Sequence, residues 1–235
     1  MGEIAARIAQ YREQIDAVRA RCGIRKEVQL MAVTKFVEPA RINEAIVQGG
    51  IRLIGENRPQ ELVQKYGALQ LQNVKVHQIG TLQRNKVKYI IDRVDMVESL
   101  ESFSLAQEIA HCAQRRGKAY MDCLLEVNIA KEPNKSGVSP EELFHLYEQV
   151  ASLPQIHVRG LMTIAPQTDD RKERLQYFSQ TEKLFERLVK DYLPAQTLPL
   201  LSMGMTDSFE EAIACGADIV RIGTGIFGAR SPLPR

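Results

Sequence analysis

The sequence predicts one closed (β/α)8 barrel preceded by an extra N-terminal helix, an α/β fold in which all 235 residues form a single domain. Three observations carry this. Short apolar runs alternate with helical patterns, so each helix is a crossover and neighbouring strands pair parallel. There are eight such runs, the number that closes a barrel in about this length. Loops are short, and no linker rich in Gly, Ser or Pro divides the chain. An open doubly wound sheet is the alternative. The polar residues favour the barrel, because they fall at the C-terminal ends of the runs, where a barrel collects its functional groups.

The first helix is amphipathic: Ile4, Ile8, Tyr11, Ile15 and Val18 step by three and four and mark one buried face. The strand runs are residues 28–35 (VQLMAVTK), 52–57 (RLIGEN), 75–80 (KVHQIG), 95–99 (DMVES), 119–128 (AYMDCLLEVN), 157–164 (HVRGLMTI), 198–204 (LPLLSMG) and 218–223 (DIVRIG). Between them, Phe103, Ala106, Ile109, Ala110 and Ala113 form an apolar stripe that stops at Gly117, a C-cap residue. Ser139-Pro140-Glu141-Glu142 reads as a capping box with proline at the first helical position. Asp207 followed by Glu210 is a second start signal of this kind, and residues 171–192 read as a long charged surface helix.

Hydrophobic residues make up 44% of the chain, which excludes a disordered chain, and no apolar run approaches the roughly 20 residues of a spanning helix. The N-terminus lacks a signal-peptide core, and MGEIAA lacks the Ser or Thr of a myristoylation site. A net charge of +2 makes no case for a nucleic-acid groove. The four cysteines are scattered with no C-x-x-C pair, as expected of reduced thiols in the cytoplasm. The four histidines show no ligand spacing, so no metal is expected.

Chemistry is expected where runs end: Lys35 on the first, Glu56 and Asn57 on the second, Asn128 on the fifth, Ser202 and Gly204 on the seventh, Gly223 and Thr224 on the eighth. Strand alternation sets Met31, Val33 and Lys35 on one face, so Lys35 caps an apolar stack. It either snorkels to solvent or, dehydrated and with its pKa lowered, condenses with an aldehyde to form a Schiff base. In RIGTGIFG, Gly223 and Gly225 would let backbone N–H groups approach a phosphate, with hydroxyls from Thr224 and Ser202, or the glycines merely relieve crowding. Barrel closure sets the first strand beside the eighth, so Lys35 and this turn face one cavity, as phosphorylated pyridoxal requires. Arg221 projects to the same side as Gly223. It either meets the pyridine nitrogen, leaving the ring a poor electron sink, or is tied to a carboxylate such as Asp218.

The segments AVTKF, GENRPQE, HQIGTLQRNK, EPNKSG, GLMTI, LSMGMTDSFEEAI and VRIGTGIFG, in this order over nearly the whole chain, resemble the pyridoxal phosphate homeostasis protein family. That family is similar in fold to the N-terminal barrel of alanine racemase. It is known for binding pyridoxal 5'-phosphate (PLP) without a well-defined catalytic reaction, and for influencing vitamin B6 balance. The resemblance implies that Lys35 holds PLP as a lysine aldimine, that Ser202, Gly223 and Thr224 contact its phosphate, and that Arg221 contacts its ring. Asn57 matches a signature near the cofactor and also looks like a helix N-cap. Lys135, in EPNKSG, is a loop lysine near the mouth. Two departures stand out: Thr206 where a serine is expected, and Glu98 and Glu101 in VESLES where the family shows a His-Ser-Val-Asp-like run.

The function expected is therefore a cytoplasmic, monomeric PLP carrier or buffer, without strong catalytic activity, that delivers the cofactor to PLP-requiring apo-enzymes and has no nucleic-acid or membrane partner. The alternatives are a PLP-dependent racemase or decarboxylase, which needs a second domain to supply a tyrosine that this sequence is not expected to have, and a class I aldolase, which would be colourless.

Overall fold

The computed structural model describes residues 2–228. Eight parallel strands close into a barrel in sequence order: β1 (Gln29–Val33), β2 (Leu53–Glu56), β3 (Lys75–Gln78), β4 (Met96–Leu100), β5 (Met121–Val127), β6 (Ile156–Thr163), β7 (Leu200–Ser202) and β8 (Ile219–Ile222), with β8 returning to β1. Each predicted run yields its strand. The first ends earlier than expected: Thr34 N–H still reaches Gly55 O, but Val37 N–H then folds back onto Thr34 O at 3.1 Å. Lys35 therefore sits in a turn beyond the strand end.

The helices are α1 (Glu3–Cys22), α2 (Pro39–Val47), α3 (Pro59–Lys65), α4 (Arg84–Ile90), α5 (Phe103–Arg115), α6 (Leu143–Val150), α7 (Arg171–Asp191), α8 (Phe209–Ala214) and α9 (Thr224–Phe227). Ser102 Oγ accepts Leu105 N–H and starts α5, and Gly117 follows its end at φ 69°. Two expected starts are displaced. Ser139 spends its hydroxyl on the Glu142 carboxylate at 2.8 Å, so residues 139–142 form a turn and α6 begins only at Leu143. The N-cap of α8 is Ser208, not Asp207, and its hydroxyl accepts Met205 N–H. Among the described residues no helix is long and apolar enough to cross a membrane.

The core has two parts. Outside the barrel wall, residues such as Ile42, Ile54, Leu62, Ile109 and Phe178 pack strands against helices. Inside it, Met31, Val33, Leu53, Ile79 and Ile219 form one apolar group and Met96, Leu124 and Met162 another. Around them, His77, Glu98, Ser202 and Arg221 are buried too. A dry apolar interior would need no such residues, so the interior is built for something besides stability.

Helix α1 lies against α2, α8 and α9. Its Tyr11 meets the Phe209 ring edge-on at 5.6 Å between centroids. A Cβ on Gly225 would fall 2.0 Å from Tyr11 Oη. Helix packing thus requires glycine at 225 whether or not its N–H meets an anion. Gly225→Ala should destabilise the protein by roughly 1–3 kcal/mol through overpacking. In a double-mutant cycle by urea unfolding, Tyr11→Ala should abolish most of that penalty. Strict additivity of the two changes would contradict this packing role.

Candidate functional site

Closure of the barrel builds the site. Met31 pairs with Arg221 and Ala32 with Ile222, so the segments running on from β1 and β8 emerge together at the C-terminal mouth. A cavity of about 230 Å³ lies there, walled by Val33, Lys35, Arg221, Gly223 and Thr224, by residues 163–168 and 204–208, and by Arg174 and Phe178 of α7. Ligand sites commonly occupy roughly 300–1,000 Å³, so this cavity suits one small molecule better than a cofactor together with a substrate.

Five expected residues, Lys35, Gly204, Arg221, Gly223 and Thr224, share this wall. Lys35 is half-buried. A Cβ on Gly223 would rest 3.4 Å from Val33 Cβ, an ordinary contact. The protein's own packing therefore does not demand glycine there, and the missing side chain leaves room on the cavity side. Thr224 Oγ1 lies 3.5 Å from Thr206 Oγ1. Thr206, at the expected serine position, thus supplies a hydroxyl to the same wall. The first backbone N–H groups of α9, on Thr224 and Gly225, have no intrahelical acceptor by helix geometry.

Ser202, expected at the phosphate, is not on the wall. It is fully buried one layer beneath, where its hydroxyl donates to Glu98 Oε2 at 2.6 Å and accepts from Arg221 Nη1 at 2.7 Å. Arg221 Nη2 donates to Thr163 O at 2.7 Å. The alternative pairing with Asp218 is not what forms: that carboxylate takes Lys26 Nζ and Leu201 N–H instead. The second oxygen of Glu98 lies 2.6 Å from His77 Nδ1. A chain His77, Glu98, Ser202, Arg221 thus crosses the barrel under the cavity.

Burial alone would raise the Glu98 pKa. The His77 hydrogen bond and charge, Arg221 and the Ser202 hydroxyl outweigh it and hold the carboxyl below its usual range. Burial pulls the Arg221 pKa down, and the charges of Glu98 and Glu126 oppose that. Glu98 is therefore the counter-charge of a buried arginine. That explains one departure in VESLES. The other, Glu101, accepts Gly137 N–H at 2.9 Å. Ser136 donates to Glu126 Oε1 at 2.8 Å. Together these carboxylates pin the loop after β5, within which Asn128 Nδ2 donates to Glu132 O and Lys135 pairs with Glu132. Lys135 does not line the cavity.

Asn57 is not the N-cap of α3. Arg58 is the N-cap residue of α3 and no side chain caps the helix. Asn57 is not on the cavity wall, and its Oδ1 is buried without a hydrogen-bond partner. The sequence reading missed the wall contributed by residues 163–168, Arg174 and Phe178. The only available signal was the polar run APQTDD after the sixth strand. It also missed the buried chain, although His77, Glu98 and Glu126 each stand as a polar residue inside an apolar strand run.

The family model "Alanine racemase, N-terminal domain" matches residues 7–231. The pyridoxal phosphate homeostasis protein of Aquifex aeolicus (strain VF5) is 40% identical over 95% of this chain and 97% of its own. That of Escherichia coli (strain K12) is 36% identical over 98% of each. Among solved structures, PipY of Synechococcus elongatus PCC7942 with PLP bound superposes with a TM-score of 0.82 at 32% identity, covering 96% of this chain and 100% of that one. An alanine racemase from Clostridium difficile 630 superposes with a TM-score of 0.71 at 12% identity, over 97% of this chain and 58% of the racemase. That likeness shows the fold alone.

The buried carboxylates make stability depend on pH. Burial pushes the Glu126 pKa up to about 7, with the Ser136 hydroxyl opposing, and its Oε2 has no partner. Because the folded pKa is raised, this group's favourable contribution is complete below the ordinary carboxylate range. It is lost as pH rises from about 4.5 through about 7. The loss should be on the order of 3 kcal/mol. Glu126→Gln should flatten this part of the profile in urea unfolding at a series of pH values. An unchanged slope in that variant would contradict the assignment.

Proposed function

Because the chain belongs to the pyridoxal phosphate homeostasis protein family, we propose that it binds PLP in the mouth cavity and acts in vitamin B6 homeostasis, holding the cofactor rather than using it for strong catalysis. One observation carries the proposal: Lys35 and the Gly223–Thr224 turn, from opposite ends of the sequence, line the same small cavity. Curated relatives bear the homeostasis name, and a solved relative contains PLP.

The residues present fit the group. Lys35 would hold its aldehyde carbon. The Thr206 and Thr224 hydroxyls, with the space left at Gly223, would hold its phosphate, and Arg221 would face the ring. Ser202 acts from behind by fixing Arg221. When bound, PLP supplies an electrophilic carbonyl and a conjugated ring that can take up electrons from an attached amine. Arg221 restrains that second property, since a guanidinium stays charged and does not protonate a ring nitrogen. Racemisation also needs an acid/base group on each face of the reacting carbon. The described wall carries no tyrosine, histidine or cysteine, and Asp207 is its one carboxylate. This favours the carrier over the racemase and decarboxylase. The proposal extends to a monomer that hands PLP to apo-enzymes in the cytoplasm, a setting that suits its four free cysteines.

Thr206→Ala with Thr224→Ala should weaken PLP binding by more than about 100-fold, as expected for losing two hydroxyl bonds of roughly 1.5–3 kcal/mol each to a charged acceptor, and leave pyridoxal binding nearly unchanged. Equal losses for both ligands in a titration would place the phosphate elsewhere. With PLP loaded, L-alanine in deuterated water should exchange its α-hydrogen far more slowly than ordinary enzymes turn over, roughly 1–1,000 per second. NMR showing exchange at such rates would favour the racemase.

A further inference from the structure

The segment GENRPQE was singled out for Asn57, yet the side chains in it that hydrogen-bond to the Lys35 turn are its two glutamates, while the Arg58 guanidinium lies over the Phe36 ring at 5.2 Å. Glu56 Oε1 accepts the N–H groups of Asn57 and Arg58 at 2.7 and 3.0 Å. Its Oε2 accepts the Thr34 hydroxyl at 3.1 Å and pairs with Lys65 Nζ. Lys65 Nζ donates to Thr34 O at 2.8 Å and pairs with Glu61 Oε1 at 3.1 Å. The same Glu61 oxygen accepts Phe36 N–H at 2.6 Å. The residues on both sides of Lys35 are thus held by one cluster, in which Glu56 is fully buried and Lys65 nearly so.

The backbone shows what the cluster holds. Phe36 has φ 60°, a left-handed conformation that a bulky residue rarely adopts. It occupies the third position of the turn closed by Val37 N–H on Thr34 O, where a positive φ ordinarily calls for glycine. Such strain persists only where the surroundings over-determine it, and here the Glu61 carboxylate receives the Phe36 N–H. The turn sends successive side chains to opposite sides. Lys35 lines the mouth cavity, while Phe36 lines an outer groove with Arg58, Glu61 and Lys65.

We infer that Glu61, backed by Lys65 and Glu56, is a positioning residue for Lys35: it holds the left-handed turn at Phe36 that aims the lysine into the cavity. This rests on the reading of Lys35 as the PLP-holding residue. An ion pair serving only to fasten α3 to β2 would involve Glu56 and Lys65 but would have no reason to place a carboxylate on the Phe36 N–H.

The test is the rate at which PLP-free protein takes up PLP, followed by the change in cofactor absorption, with far-UV circular dichroism as the check on folding. Glu61→Ala should remain folded and take up PLP about tenfold or more slowly, the size of effect that a misplaced reacting group produces. Adding Phe36→Gly should restore most of the rate, because glycine enters the left-handed region without help. If Glu61→Ala alone does not fold, the same change is made in the Phe36→Gly protein, where it should leave the rate unchanged. A folded Glu61→Ala protein with the wild-type rate overturns the inference. So does a slowed one that Phe36→Gly fails to restore, or a Phe36→Gly protein that Glu61→Ala still slows. Lys35→Ala serves as the control: uptake at the wild-type rate in that variant would mean that the assignment of Lys35 fails, a result separable from failure of the positioning role.

Discussion

The site depends on the register in which β1 meets β8. The pairs Met31 with Arg221 and Ala32 with Ile222 decide which side chains enter the barrel. Side chains alternate across a strand, so a slip of one residue would turn Arg221 out of the interior. Closure also joins groups almost two hundred residues apart in sequence, and that separation is why no local motif reveals the cavity. In this register the β1 extension brings Lys35 and the β8 extension brings Gly223 and Thr224 to one mouth.

Below that mouth the interior is charged where hydrophobic side chains would give a simpler core. Burying a guanidinium costs several kcal/mol unless it is paired and hydrogen-bonded, and even paired ions are often less stabilising than well-packed apolar groups. Glu98, reached through Ser202, and the Thr163 carbonyl offset the burial of Arg221. The arrangement makes sense as support for a cationic group presented to the cavity. The Glu56, Lys65 and Glu61 cluster stands in the same relation to the Lys35 turn. Arg221 and the turn that carries Lys35, which both line the cavity, are thus each held by buried ionic groups from neighbouring elements.

The strand and helix plan was legible because alternation, periodicity and caps are local. All eight strands lie where apolar runs stand, and Gly117 marks the end of α5. Lys35, Gly223 and Thr224 were legible because run ends are where a barrel collects polar groups, and Arg221 because strand alternation sets it on the same side as Gly223. Ser202 sits at such an end too, yet its hydroxyl is taken by partners on β4 and β8, a contact that no spacing announces. Gly225 resembled Gly223 in sequence and differs only because Tyr11 of α1 lies over it. In GENRPQE, Glu56 was legible only as a run-end residue and Glu61 not at all, since the turn they hold lies about twenty residues earlier in the chain.

The central claim is that the cavity binds PLP through Lys35. Its most direct test is to load the purified protein with PLP, reduce it with borohydride, digest it and locate the cofactor-bearing peptide by mass spectrometry. The account predicts a single modified residue, Lys35, in the peptide bearing AVTKF. Modification at Lys135, at Lys65 or spread over surface lysines, with Lys35 unmodified, would contradict it.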